Sequence, residues 1–251
     1  MKNNPIVKDF LKLTSNVYPY EFEKDVVELI EIPLEKDKFG NYFYIIGTNP
    51  TAIFTSHLDT VGDYKKRVKH VFDNNFVQTD GSSILGADDK AGVVIMLHMI
   101  REKTPGIYYF FIGEEVGRIG SIALSNEFND FKIFNTINKI VSFDRKGVDS
   151  IITHQMGSRG ASDEFADALA NALNSLEPTF KYKADATGLY TDSYSFMSQI
   201  QECINLSVGY YFQHTHDEKQ DLNHLIKLAN ALCKVEWESL PIKRKLNKNR
   251  I

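Results

Sequence analysis

Cysteine is scarce: only Cys203 and Cys233 occur in 251 residues, and neither belongs to a CxxC pair. That argues against a disulfide framework and fits a reducing, cytoplasmic setting. No run of about 18 uncharged apolar residues is present, so no membrane-spanning helix is expected. The opening residues MKNNPIVKDFLKLTS are mixed and polar, without the apolar stretch of a secretory leader. Internal repeats, low-complexity segments and Pro/Gly-rich linkers are also missing. Charge of one sign is not in excess: 29 Lys and Arg against 33 Asp and Glu leave a formal net charge of -4. Neither nucleic acid nor an anionic membrane surface is therefore an expected partner. The basic run Lys243, Arg244, Lys245, Lys248 and Arg250 reads as a solvated tail.

Hydrophobic residues make up 43% of the chain, enough for a sizeable core in one domain spanning 1–251. Residues 21–32 carry apolar positions at helical spacing up to Pro33. The β-branched and aromatic runs 41–47 and 51–57 read as a hairpin. A helix is expected over 88–103, opening with Asp88 and Asp89. The apolar run 107–113 reads as a buried strand. A helix over 118–128, a strand over 139–144, an amphipathic helix over 161–176 with Ser162 or Asp163 near its N-cap, a strand over 204–211 and a helix over 217–237 complete the pattern. Strands alternating with helices imply a three-layer α/β/α sandwich around a central mixed, largely parallel sheet. In such sheets functional groups gather at the C-terminal ends of the strands.

Four of those ends carry groups that bind metals. One strand runs into His57-Leu58-Asp59, the next into Glu114-Glu115, a third into Asp144, and the last towards His214-Thr215. A fifth acid, Asp88, sits where a loop meets a helix. Imidazoles and carboxylates mixed in this way suit a zinc centre with open positions. In an extended segment His57 and Asp59 face the same side, so Asp59 can accept the second ring N–H of His57. Glu114 and Glu115 point to opposite sides, so one can ligate metal while the other meets water.

Ser56-His57-Leu58-Asp59-Thr60-Val61-Gly62, Leu85-Gly86-Ala87-Asp88-Asp89-Lys90-Ala91-Gly92-Val93, Gly113-Glu114-Glu115-Val116-Gly117, Asp144 and His214-Thr215 resemble, in order, the motifs of the dinuclear zinc exopeptidases. That superfamily includes peptidase T-like tripeptidases, zinc carboxypeptidases and zinc aminopeptidases. The resemblance implies two Zn2+ per chain, with Co2+ or Mn2+ as alternatives. It implies His57 and Asp144 on one ion, Glu115 and His214 on the other, and Asp88 between them. It further implies Glu114 as the general base, Asp59 as the orienting acid, and a cis peptide at Asp88-Asp89. A short peptide or peptide-like small molecule is the expected substrate, and a monomer or small homo-oligomer the expected state. Only residues 145–213 separate the Asp144 and His214 motifs. That is too short for the lid or dimerisation domain that two-domain relatives insert there, so a lone catalytic domain is expected.

Other groups admit more than one reading. His214 fits His-Thr-x-x-Glu, with Glu218 as a helix N-terminal acid, and His216 is the alternative ligand. Asp89 either supports a ligand or is an acid of the first helical turn. Asp192, in Tyr190-Thr191-Asp192-Ser193, either lines a substrate cleft or caps a helix near 193–199. Arg159 either grips a substrate carboxylate or is a solvated loop residue. His70, His98, His154 and His224 lie in no ligand-spaced motif. The same zinc site also serves an amidohydrolase acting on an N-acyl amino acid. A non-catalytic metal-binding relative would lack Glu114 or a ligand, and none is missing.

Overall fold

The computed structural model describes residues 2–246, so Lys248 and Arg250 of the basic run lie outside the described residues. A mixed sheet of eight strands forms its centre. In chain order they are β1 (Glu35–Lys36), β2 (Tyr42–Ile46), β3 (Ala52–His57), β4 (Gly106–Phe111), β5 (Lys139–Arg145), β6 (Ser150–Ile152), β7 (Lys183–Asp185) and β8 (Glu202–Ser207). Across the sheet the order is β7-β6-β8-β5-β3-β4-β2-β1. The central β8, β5, β3 and β4 run parallel, and β6 and β2 flank them antiparallel. The C-terminal ends of the parallel strands therefore open on one rim.

Side chains alternate across these strands, which gives the sheet two apolar faces. Phe54, Tyr108, Phe110, Val141 and Phe143 join one buried cluster, with residues of α1 (Pro5–Leu13), α2 (Ala87–Arg101), α4 (Asp163–Leu176) and α5 (Leu222–Leu232). Ile53, Ile107, Tyr109, Phe111 and Ile140 join the other, under α3 (Ile119–Asn126) and short 3-10 turns carrying Phe128, Phe134 and Phe196. This is the three-layer α/β/α sandwich with a largely parallel centre. Phe54 packs against Tyr108, Phe143 and Trp237, with ring centroids 5.2, 5.9 and 4.8 Å away. Truncating such a ring costs about 3–5 kcal/mol.

Several local expectations change. The hairpin over 41–57 does not form: β4 lies between β2 and β3 and pairs with both. Every residue of β4 is buried, and both of its edges are paired. The helix expected over 21–32 is only Glu23–Val27, loosened by amides of Leu29 and Ile30 that bond three residues back. The strand expected over 204–211 ends at Ser207. Gly209, at φ +98°, turns the chain where a Cβ would meet Gln220 Nε2 at 2.8 Å. Tyr210–Tyr211 then joins a second sheet with Lys219–Asp221, Phe76–Thr79 and His70–Asp73, which shortens the last helix to Leu222–Leu232. Ser162 caps α4, accepting from the Phe165 amide. Between Asp144 and His214 the chain builds β6, a small hairpin (His154–Gln155 with Ser158–Arg159), α4, β7, a 3-10 turn and β8.

The described part of the basic run is no free tail. The amides of Lys243 and Arg244 donate to Glu202 Oε1 at 2.7 and 2.9 Å, and the Arg244 guanidinium donates to the carbonyl of Met197 at 2.7 Å. The four histidines outside the motifs make local bonds: His70 with Thr14, His98 with Asn230, His154 with Thr153 and His224 with Tyr182.

His224 carries a pH dependence. Tyr182 donates to the Ser207 carbonyl, so its oxygen accepts from Nε2 of a neutral His224 at 2.8 Å. Burial depresses the imidazole from its ordinary 6.5 to about 4. The unfolded chain therefore takes up this proton below about pH 6.5 while the fold refuses it until about pH 4. The stabilising contribution is full above pH 6.5 and is lost as pH falls, amounting to about 2 kcal/mol by pH 5. Urea unfolding at pH 7.5 and 5.0 should show wild type losing about 2 kcal/mol more than His224→Gln. Equal losses in the two proteins contradict this.

Candidate metal centre

The rim of the parallel strands collects the predicted groups. His57 ends β3, Glu114 and Glu115 follow β4, Asp144 lies at the end of β5, and His214 lies in the loop after Tyr210–Tyr211. Asp88 enters from the start of α2. Its peptide to Asp89 is cis, and both residues leave helical geometry, with ψ of 103° and 37°. They are therefore not ordinary first-turn helix acids.

Asp88 stands between two imidazoles. Its Oδ1 is 3.1 Å from His57 Nε2, and its Oδ2 is 3.2 Å from His214 Nε2. On the first side Asp144 Oδ1 lies 3.7 Å from His57 Nε2. On the second, Glu115 Oε1 lies 2.9 Å from His214 Nε2, yet this buried oxygen has no aligned hydrogen-bond partner. An orphaned carboxylate oxygen facing an imidazole nitrogen fits a shared cation better than a hydrogen bond. Ligands held about 2.0–2.2 Å from a tetrahedral zinc sit roughly 3.3 Å from one another, close to these spacings. The donor set of two imidazoles and three carboxylates is one that zinc accepts.

Electrostatics point the same way. Burial pushes the Glu114 carboxyl up to about 9, with Asp144, Asp192 and Glu115 adding to the push. Burial and the neighbouring Asp88 raise Asp144 to about 6. Contacts with Asp88 and Glu115 raise His214 to about 10. Burial opposes charging of His57, but Asp144, Asp59 and Asp88 outweigh it and raise its pKa well above the ordinary value. The cluster thus holds more buried negative charge than its histidines neutralise, a condition that bound cations relieve.

The supports are specific. Asp59 is wholly buried and accepts the Glu114 amide on Oδ1 and the Glu115 amide on Oδ2, both at 3.1 Å. Nδ1 of His57 lies nearer the Asp59 carbonyl, at 3.0 Å, than the carboxylate, at 3.4 Å. The side chain of Asp59 thus holds the Glu114-Glu115 turn more directly than it holds the imidazole. Asp89 is within reach of His57 and Asp144. Its oxygens, however, are taken by Ser56 Oγ at 2.5 Å and by the amides of His57 and Gly92 at 3.3 and 3.2 Å. A Cβ on Gly92 would sit 2.7 Å from both Asp89 oxygens, so this position needs glycine. Lys90 is buried and donates to the Leu58 carbonyl at 2.5 Å rather than to a carboxylate.

Three supporting groups lie outside the ligand motifs. Glu218 is buried, and instead of starting a helix it accepts the amides of Leu85, Gly86 and Asp88 at 2.8, 2.7 and 3.0 Å. It clamps the loop that presents Asp88. Thr191 and Tyr210 donate to the two oxygens of Asp144 at 2.6 and 3.0 Å. The spacing His-Thr-x-x-Glu singled out Glu218 but not its partner, and nothing in the sequence pairs Thr191 or Tyr210 with Asp144.

His214 joins the cluster; His216 is exposed and does not. His214 adopts φ +64°, a left-handed conformation uncommon outside glycine and tolerated here where the loop aims its ring. Asp192 is buried within a 3-10 turn and, like neither of its expected roles, neither lines the cleft nor caps with its side chain. Burial raises it to about 7. Arg159 sits apart: it pairs with Asp163 at 2.8 Å and borders a different cleft, of about 530 Å3, with Tyr194, Met197 and Arg244.

Comparison with known proteins agrees with this geometry. The sequence profile described as peptidase family M28 matches residues 44–234. Uncharacterized protein YqjE of Bacillus subtilis is 46% identical over 81 residues, which are 30% of this chain and 22% of that protein. The match therefore spans under a quarter of that relative's length. Among solved structures, aminopeptidase PepT from Bacillus cereus superposes with a TM-score of 0.75 at 18% identity, covering 91% of this chain and 96% of that one. A tripeptidase from Staphylococcus aureus gives 0.68 at 16%, covering 91% and 96%. The TET1 peptidase of Pyrococcus horikoshii gives 0.65 at 16%, covering 90% and 98%. At these identities the solved structures establish a shared fold.

The Glu218 clamp is testable. Glu218→Ala leaves three buried amides without an acceptor, each worth about 1–3 kcal/mol. Urea unfolding should show a loss of at least about 3 kcal/mol. Calorimetric zinc affinity should fall roughly 10–100-fold, as it does when ligand supports are removed. Wild-type stability together with wild-type affinity would rule the clamp out.

Proposed function

The chain belongs to peptidase family M28, and from that premise we propose that it is a dinuclear zinc exopeptidase that hydrolyses short peptides. The observation that carries this reading is Asp88, whose two oxygens face two different imidazoles at 3.1 and 3.2 Å. In this reading His57 and Asp144 would hold one ion and Glu115 and His214 the other, with Asp88 available to both. When bound, such ions polarise a carbonyl oxygen and make water more acidic. Family membership makes the chain a hydrolase of the metallopeptidase class. The preference for short peptides is supported by the aminopeptidase and tripeptidase that share its fold.

Glu114 is the proton carrier in this account. It lines the cleft beside Asp88 and Asp144, and its backbone is fixed by Asp59. Bound cations would offset the neighbouring acids that raise its pKa and so favour the carboxylate form. In that form it takes a proton from water, the hydroxyl adds to the scissile carbonyl carbon, and the proton passes to the nitrogen as its bond to that carbon breaks. Asp59 acts through the Glu114-Glu115 turn and is a positioning residue.

The test is Glu114→Gln, which keeps shape but cannot carry the proton. With zinc restored, turnover of di- and tripeptides should fall by at least about 100-fold, the lower range for general acid–base catalysis. Zinc content per chain should be unchanged. Wild-type turnover in this variant would sink the mechanism.

A further inference from the structure

The cleft beside the metal centre has a volume of about 210 Å3. Its acids are Asp88, Glu114, Glu115 and Asp144, and each already has a task in the centre. Among the described residues lining it, no further carboxylate is left to hold a substrate ammonium. Two cations, Arg145 and Lys146, line it instead.

Arg145 is short of partners. Its side chain is 20% exposed, yet its buried Nε has no hydrogen-bond acceptor. The ion pair it makes, Nη2 to Asp185 Oδ2, is 3.9 Å long, beyond hydrogen-bond range. The Asp185 carboxylate is already engaged by Ser150 and Thr187. A guanidinium cannot shed its proton, and its fork of donors matches a carboxylate bidentately.

The backbone explains how Arg145 comes to lie beside a proposed metal ligand. Ser142 pairs with Asn205, but Arg145 pairs with Ser207, so β5 carries one extra residue against β8. Such a bulge at the rim of a sheet re-aims side chains. Asp144 and Arg145, which would alternate across a regular strand, both border the cleft.

We propose that Arg145, assisted by Lys146, binds the free α-carboxylate of the substrate. The substrate class is then a short amide ending in a carboxylate, whether a dipeptide or an N-acyl amino acid. The bond cleaved rests on the hydrolytic reading above; the carboxylate recognition rests on the cleft itself. Water divides across the amide, its hydroxyl going to the acyl carbon and its proton to the nitrogen of the carboxylate-bearing residue, which leaves as an amine.

Zinc-loaded wild type is assayed on alanyl-leucine, alanyl-leucinamide and N-acetyl-leucine. The free dipeptide should exceed its amide at least tenfold in kcat/KM. Arg145→Gln should abolish that preference, raising KM for the free dipeptide at least tenfold more than it changes KM for the amide, and Lys146→Ala should reduce it. In a second arm, calorimetry on Glu114→Gln protein reads binding without turnover, and the acid should bind at least tenfold more tightly than the amide. If tighter acid binding occurs but wild type cleaves no peptide, carboxylate recognition stands and the peptidase reading fails. Preferential cleavage of N-acetyl-leucine supports the proposal with the acyl amino acid as source. Equal kcat/KM and equal binding for acid and amide overturn it, even if peptides are hydrolysed. The comparison on wild type needs no variant to fold.

Discussion

Asp88 offers one carboxylate oxygen to each of two imidazoles, and much of the surrounding structure serves that arrangement. Its backbone is held by the Glu218 carboxylate, which accepts the Leu85, Gly86 and Asp88 amides, and the next residue is held by the Asp89 carboxylate on Ser56 and Gly92. Glycine at 92 is dictated by the same packing. Gathering so many buried acids has a large desolvation cost, which matched cations offset. The constraint is thus electrostatic as much as geometric: the fold concentrates more negative charge at this rim than its two imidazoles neutralise.

The scaffold makes this possible through parallel strands. β3, β4, β5 and β8 end on one rim, and apolar side chains on both faces hold them there. Loops after those ends are free to carry polar groups, while the strands beneath stay buried. The bulge in β5 is a small departure with a large effect, because it puts an acid and a guanidinium from consecutive positions at one cleft. An otherwise acidic site thereby acquires a cationic wall.

Much of this was legible in the sequence, for physical reasons. Alternating and fully apolar runs mark strands such as β4 and β5 because both faces of the sheet are covered. Candidate ligands at strand ends stand out because imidazoles and carboxylates recur at separate, ordered places, and His57, Asp88, Glu115, Asp144 and His214 do converge. Strand order was not legible. A short turn between 47 and 51 suggests a hairpin, whereas the order depends on pairings of β4 with β2 and β3 between residues more than 50 positions apart. Supports were legible only where a motif contains them. Tyr210 and Thr191 reach Asp144 across the fold, and Arg159 lies near the rim in sequence but faces another cleft. Asp192, expected to line a cleft or cap a helix, is buried in the 3-10 turn close enough to raise Glu114 but is not among the residues lining the cleft.

The two ions proposed for this rim would share Asp88. Zinc bound per chain, measured by mass spectrometry after equilibration in buffered free zinc, tests it most directly when wild type is compared with Asp88→Ala. Wild type should bind two ions and the variant should lose the pair, because both ions would lose a ligand at once. A single ion in saturated wild type, or two ions retained without Asp88, would contradict it.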